Sequence, residues 1–172
     1  MGRFKEKNFF RVIIKNIPII LLLISVLNEF DFNYMGFKYF SFNFPFILIF
    51  YWSLKKSGSL GYGLIFIAGL FNDVVGRLPM GVSSLTYLLI CGFAAYLRNI
   101  TLRPNLIKDW FFFLFTIALL NSLNYILLTL FFSFKISYEE SLFNLFFTFV
   151  FYIIFAYIFD IYQKIIMGKL ND

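Results

Sequence analysis

Charged side chains are spaced so unevenly along this 172-residue chain that six long windows carry no charge at all. A helix needs about 20 apolar residues to cross the roughly 30 Å hydrocarbon core of a bilayer. The last three windows fit this requirement, and the first becomes long enough if Lys15 snorkels toward the headgroups. We therefore expect six transmembrane helices, at about residues 12–30, 37–54, 57–75, 78–97, 110–134 and 141–160.

The composition supports lipid as the solvent of this chain. Only 14% of the residues are charged and 61% are hydrophobic, whereas a soluble domain averages about 25% charged residues. A chain of this length could not bury so much apolar side chain in one core. The expected fold class is an all-α integral membrane protein, with residues 1–172 forming a single polytopic domain.

The distribution of basic residues predicts the orientation. With six spans, 12 of the 15 Lys and Arg residues fall on the side that holds both termini. The positive-inside rule then places both termini in the cytoplasm of a multi-pass protein. Tyr51 and Trp52 precede Lys55 and Lys56, so we expect these two rings to lie at headgroup depth at the cytoplasmic end of span two.

Several chemistries are disfavoured. The chain has no His and a single Cys, which removes histidine-based nucleophile systems and histidine-ligated metals. Glu139 and Glu140 are adjacent and should point apart in regular structure, so they do not form a paired acid and base. We expect no enzymatic activity, no cofactor and no metal. The net charge of +6 is explained by the membrane orientation and does not indicate a nucleic-acid partner.

Small residues are concentrated in spans three and four. Such residues let membrane helices approach closely. They could form a contact face for a partner protein, or they could allow the two helices to pack on each other, and we favour the second interpretation. The residues are Gly61, Ala68 and Gly69 on span three and Gly81, Ser84, Cys91 and Ala95 on span four.

Polar residues recur at helical spacing on spans five and six. Asn121 and Asn124 share one face of span five, and Asn144, Thr148 and Tyr152 share one face of span six. They could line a ligand cavity or form interhelical hydrogen bonds, which contribute about 0.6–2 kcal/mol each in membranes. We favour a helix-packing role for Asn121, Asn124, Asn144 and Thr148.

The stretch between spans three and four is the most specific in the chain. Asp73 lies near the C-terminal end of span three, where the helix dipole disfavours an anion. Arg77 would meet it if the helix continued for another turn; otherwise Gly76 could end the helix in the left-handed conformation and Pro79 could open the next one. A membrane carboxylate is a functional candidate. We rank a structural pin first for Asp73, contact with a partner second and transport third.

At this hairpin the chain resembles the bacterial rod-shape-determining MreD family. That family typically shows a Pro in span two with Tyr-Trp at its end, then Gly-Leu-x-x-Asp, a Gly, and Pro-x-Gly opening the next helix. The pattern extends from about residue 45 to residue 98. The matching positions are Pro45, Tyr51, Trp52, Gly69, Leu70, Asp73, Gly76, Pro79 and Gly81.

The resemblance implies a six-helix fold similar to that of the S components of energy-coupling-factor transporters. It also implies a non-catalytic inner-membrane scaffold of the cell-elongation machinery, which binds the single-span protein MreC. Through MreC such proteins connect MreB filaments to the glycosyltransferase and transpeptidase pair that synthesises peptidoglycan. The residues expected to form the partner-binding or hairpin motif are Gly69, Asp73, Gly76, Arg77, Pro79, Gly81 and Ser84.

The main alternative is an S component itself, the substrate-binding subunit of a vitamin importer. Those proteins commonly dock on their membrane partner through Ala-x-x-x-Ala in the first helix. The window from Asn16 to Asn28 contains no Ala. We therefore expect the scaffold function and no small-molecule substrate.

Overall fold

The computed structural model describes residues 16–26, 41–55, 60–101, 105–132 and 137–171, with side chains as far as residue 165. The chain is all-helical, and no strand occurs within these ranges, as expected for an all-α fold. Six helices follow one another along the chain: α1 Asn16–Val26, α2 Phe44–Lys55, α3 Tyr62–Val75, α4 Val82–Ile100, α5 Leu106–Phe132 and α6 Tyr138–Asn171.

The helix bounds differ from the expected spans at several ends. Residues 41–43 are not helical, and α2 begins at Phe44 with Pro45 in its first turn, a position where the missing N–H has no cost. Helix α4 begins at residue 82 and not at 78, while α6 continues to residue 171 and not to 160. Parts of the expected spans, at residues 12–15, 27–30, 37–40, 57–59 and 133–134, lie outside the described residues.

Helix α2 forms the centre of the bundle. Every residue from Phe44 to Leu54 is buried, and α2 packs against both α4 and α6. Its 12 residues correspond to a length of about 18 Å, which is shorter than the roughly 30 Å hydrocarbon core. Because protein encloses it, α2 has no polar face and its sequence is apolar all round.

Burial of α2 corrects the expectation for Tyr51 and Trp52. These rings are 0% and 3% exposed, so they are enclosed by protein and do not face headgroups. Both pack against Phe159 of α6, with ring centroids 5.2 and 6.1 Å away. An aromatic pair beside a lysine pair is typical of a membrane interface, but here packing between helices determines where the rings lie.

Helices α5 and α6 carry the longest apolar surfaces. Among the described residues, Leu106–Phe132 and Tyr138–Ile165 are the two segments long and apolar enough to cross a membrane. Only about a quarter of each is buried in the protein, 28% and 22%. Helices α1, α2 and α3 are apolar but shorter.

Candidate functional site: the hairpin of α3 and α4

Gly69 of α3 provides the close approach between α3 and α4. A Cβ atom at position 69 would overlap the Cα atom of Ser84 and lie 2.6 Å from its backbone nitrogen. The Ser84 hydroxyl donates a hydrogen bond of 3.0 Å to the carbonyl of Phe66, across the same contact. Ser84 is 1% exposed and Ala68 is fully buried. These small residues are therefore used by the hairpin to pack on itself, and they are not open to a partner.

Asp73 joins the end of α3 to the beginning of α4. Its carboxylate is fully buried and accepts hydrogen bonds from the backbone N–H groups of Gly81, at 2.7 Å, and Ser83, at 2.8 Å. These N–H groups lie at the N-terminus of α4, where they have no partner within the helix and the dipole favours an anion. The favourable dipole of α4 thus offsets the unfavourable one of α3, and the carboxylate acts as a pin.

A second polar contact lies beside this pin. The side-chain amide of Asn72 donates to the hydroxyl of Ser83 at 3.0 Å. Together with the Asp73 bonds it makes three hydrogen bonds whose partners are only 8 to 11 residues apart along the chain. We refer to Gly69, Asn72, Asp73, Gly81, Ser83 and Ser84 as the hairpin clasp.

The turn after α3 does not pair Asp73 with Arg77, and Gly76 does not take the left-handed conformation. Gly76 has φ −78°, and Arg77 is left-handed instead, with φ 52°. The N–H of Leu78 bonds to the carbonyl of Asp73 at 2.9 Å and that of Arg77 to the carbonyl of Val74 at 3.4 Å. This is a Schellman motif with arginine at the position usually held by glycine. It ends the helix, so the turn that would have brought Arg77 to Asp73 never forms.

Pro79 and Gly81 prepare the start of α4. Pro79 lies in the turn, three residues before the helix and not in its first turn, and its carbonyl accepts from the N–H of Val82 at 3.4 Å. Gly81 is the N-cap residue of α4, with φ 101°. A side chain there would be strained by this backbone conformation, although open space surrounds the position.

Asn121 and Asn124 bond to two different neighbours of α5. The Asn124 side-chain oxygen accepts from the hydroxyl of Thr86 in α4 at 2.8 Å. The Asn121 amide donates to the carbonyl of Ser141 in α6 at 3.3 Å. One polar face of α5 therefore contacts both adjacent helices.

Asn144 and Thr148 of α6 hold the non-helical segment that precedes α2. The Asn144 amide donates to the hydroxyl of Ser41 at 3.0 Å, and the hydroxyl of Thr148 accepts from the N–H of Asn43 at 2.8 Å. Thr148 lies ten residues into α6, or about 15 Å along it. The second contact gives the backbone N–H of Asn43, which lies outside any helix, a hydrogen-bond partner.

A further set of polar contacts surrounds the C-terminal end of α2, and sequence reasoning missed it. The Tyr51 hydroxyl donates to Asp160 of α6 at 2.5 Å, and the Arg98 guanidinium of α4 donates to the carbonyl of Ser53 at 2.8 Å. Lys55 forms an ion pair of 3.3 Å with Asp109 of α5, which is 2% exposed. We refer to these six residues as the α2 clamp.

The sequence offered one signal for the clamp. Asp109 and Asp160 each border an apolar window. Pairing partners 45 to 109 residues apart cannot be read from local spacing.

The side-chain hydrogen bonds described above join neighbouring helices to one another. Among the described residues, no group of three or more His, Cys, Asp and Glu side chains is placed to hold a metal ion. Comparison of the chain with protein-family models, with curated proteins and with solved structures finds no match in any of the three.

Proposed function

We propose that this protein is a non-catalytic, six-span membrane scaffold of the bacterial cell-elongation machinery, similar to MreD. It binds an MreC-like single-span protein and supports cell shape and peptidoglycan synthesis. Its place is the cytoplasmic membrane, with both termini in the cytoplasm. Through the MreC-like partner it connects indirectly to MreB filaments and to the glycosyltransferase and transpeptidase pair.

The observation that supports this proposal most is the use made of the residues that carry the resemblance. Gly69, Asp73 and Gly81 all belong to the hairpin clasp, each with a different structural role. Gly69 allows the close approach of the helices, Asp73 caps α4, and Gly81 supplies the left-handed N-cap. Residues with linked structural roles are less easily matched by chance than Gly and Pro residues that only mark the turns between helices.

The exposed apolar surface supports a membrane location. Phe111 and Phe115 of α5 are each 59% exposed, and Tyr157 of α6 is 63% exposed. A soluble protein rarely leaves large contiguous apolar patches in water. Charged groups lie toward the two ends: from the start of α4 to Arg98 is about 24 Å, and from Glu140 to Asp160, with no charged residue between them, is about 30 Å along α6, close to the thickness of a hydrocarbon core.

A scaffold of this kind works by offering a fixed surface. The hairpin clasp holds the N-terminal end of α4 against α3, and the α2 clamp holds its C-terminal end against α2, so α4 is restrained at both ends. When a partner helix docks on such a bundle, the scaffold itself loses little conformational entropy. Helices in lipid associate by close packing and interhelical hydrogen bonds, and both depend on a rigid surface.

Co-purification in mild detergent tests the proposal. The chain is co-expressed with the MreC-like protein of the same genome, and we expect a stable complex that contains both proteins. Asp73→Leu and Gly81→Leu should reduce the yield of the complex and the rescue of rod shape in cells that lack the native gene. Gly92→Leu is the control, because Gly92 has open space around it. Unchanged complex and cell shape in both hairpin variants would refute the assignment of these residues.

One observation favours the S-component alternative. The non-helical segment at residues 41–43, held by Asn144 and Thr148, is interrupted backbone inside the bundle, and transporters use such interruptions to bind substrate. A thermal-shift screen of the purified protein against water-soluble vitamins separates the two functions. Stabilisation by one vitamin, abolished by Thr148→Val, would favour the transporter, whereas no shift together with a stable MreC-like complex favours the scaffold.

A further inference from the structure

The phenol of Tyr152 lies in the core of the bundle with its hydroxyl unpaired. Tyr152 of α6 is 1% exposed. Its ring stacks on Phe113 of α5, with centroids 4.4 Å apart, and packs edge-on against Phe50 of α2 at 5.8 Å. Among the described residues, no group forms a hydrogen bond with its hydroxyl. A buried hydroxyl without a partner is destabilising, and native proteins almost always provide one.

One oxygen of the Asp109 carboxylate is a second buried polar atom without a hydrogen bond. Asp109 is 2% exposed, and the Lys55 ammonium lies 3.3 Å from its Oδ2 atom. The two groups do not meet in hydrogen-bond geometry, and no other group in the described part of the chain donates to this oxygen. The ion pair therefore compensates the charge of the carboxylate but leaves an acceptor open.

The two unpaired atoms belong to the same part of the core, between α2, α5 and α6. Asp109 lies one turn before Phe113 on the same face of α5, and Phe113 is the residue that stacks on Tyr152. Asp109 and Asp160 both act electrostatically on the Tyr152 phenol. Tyr51, which donates to Asp160, also interacts with Asp109 and Tyr152. The Tyr152 hydroxyl therefore faces the carboxylates of the α2 clamp without being bonded to either.

We propose that a buried water molecule binds between Tyr152 and Asp109 and completes the α2 clamp. Water accepts the hydrogen of the phenol, donates one of its own to Oδ2 of Asp109, and keeps a second for Asp160. Buried waters in proteins typically make about three hydrogen bonds of this kind. A bound cation fits less well, because it would leave the phenol hydrogen without an acceptor and because Lys55 already compensates Asp109.

This water links contacts that are otherwise separate. The Tyr51–Asp160 hydrogen bond and the Lys55–Asp109 ion pair become one network that joins α2, α5 and α6. The inference concerns the interior of the bundle and does not depend on the proposed function.

Tyr152→Phe should have opposite effects for a hydrated and a dry hydroxyl. With the water in place, the variant removes one of its hydrogen bonds, and the Tm of the purified protein should fall by about 2–4 °C. An unpaired hydroxyl would instead be removed without loss, so an unchanged or raised Tm would overturn the proposal. Tyr157→Phe is the control, because this phenol on the same helix is 63% exposed and its loss should leave the Tm unchanged.

A high-resolution structure of the protein in lipid identifies the occupant directly. We expect an isolated density peak within hydrogen-bond distance of both Tyr152 Oη and Asp109 Oδ2, absent in Tyr152→Phe. Density continuous with a side chain from elsewhere in the chain would overturn the proposal. Replacing sodium and potassium by choline in the buffer tests for a metal ion: the Tm should not change. A Tm that falls in the wild type but not in Tyr152→Phe would assign the site to a cation.

Discussion

The two ends of the bundle are stabilised by polar contacts of opposite origin. The hairpin clasp joins residues 8 to 11 positions apart, and its donors are largely backbone N–H groups of one turn. The α2 clamp joins residues 45 to 109 positions apart and depends on charged side chains from three other helices. A local clasp can form as soon as the hairpin does, whereas a clamp between distant segments must wait until the helices have assembled.

The largest effect should come from breaking the ion pair of the α2 clamp. Lys55→Met leaves the Asp109 carboxylate buried without its cation, which should lower the free energy of unfolding by about 3 kcal/mol. The double variant Lys55→Met/Asp109→Leu should recover most of this loss, because an apolar pair replaces a charged one. Equilibrium unfolding in mixed SDS micelles measures both, and equal losses in the single and double variants would contradict the prediction.

Adding side-chain volume at the close contact between α3 and α4 should lower the stability of the protein nearly as much. Gly69→Ala places a methyl group against the backbone of Ser84, so α3 and α4 must separate, at a cost of about 2–3 kcal/mol. Gly92→Ala is the matched control on α4, where nothing lies within 4 Å of the added atom. It should be neutral or stabilising by about 0.5–1 kcal/mol. The same unfolding assay should rank the two variants in opposite directions, and equal values would show that the contact is not tight.

Replacing Asp73 should lower the stability less than adding a methyl group at Gly69. Asp73→Ala leaves the buried N–H groups of Gly81 and Ser83 without an acceptor, which costs about 1–3 kcal/mol. Asp73→Asn keeps an oxygen acceptor and should lose about half as much. Glu140→Gln, an exposed acid at the start of α6, serves as the control. If Asp73→Ala unfolds like the wild type, water or lipid headgroups satisfy those N–H groups and the local clasp is dispensable.

The smallest effect is expected for the phenol of the α2 clamp. Tyr51→Phe removes the hydrogen bond to Asp160 and keeps the packing of the ring, at a cost of about 1–2 kcal/mol. A double-mutant cycle with Asp160→Asn should give a coupling energy of similar size. Purely additive effects would show that the two groups do not interact in the folded protein. The α2 clamp would then depend on the contacts of Lys55 and Arg98.

The difference between the two ends also explains what the sequence could predict. The uncharged windows located all six helices, and the Gly-Leu-x-x-Asp and Pro-x-Gly patterns located the hairpin, because windows and turns are local features. The left-handed conformation of Arg77 was not predicted, since the neighbouring Gly76 is the residue type that usually takes this conformation at the end of a helix. The sequence did not predict the contacts of the α2 clamp, because the partners of Tyr51, Asp109 and Asp160 lie on helices that are distant in sequence. The burial of α2 was not predicted either, since hydropathy does not distinguish a helix that faces lipid from one enclosed by protein.

Enclosure of α2 has a consequence for how this protein exchanges its amide hydrogens. The helix has only 12 residues, yet no face of it from Phe44 to Leu54 meets the surroundings. Its amide hydrogens should therefore exchange only when neighbouring helices move apart, and they should be among the slowest to exchange in the chain. Changes of detergent or lipid would alter the exchange of α5 and α6 and leave that of α2 almost untouched.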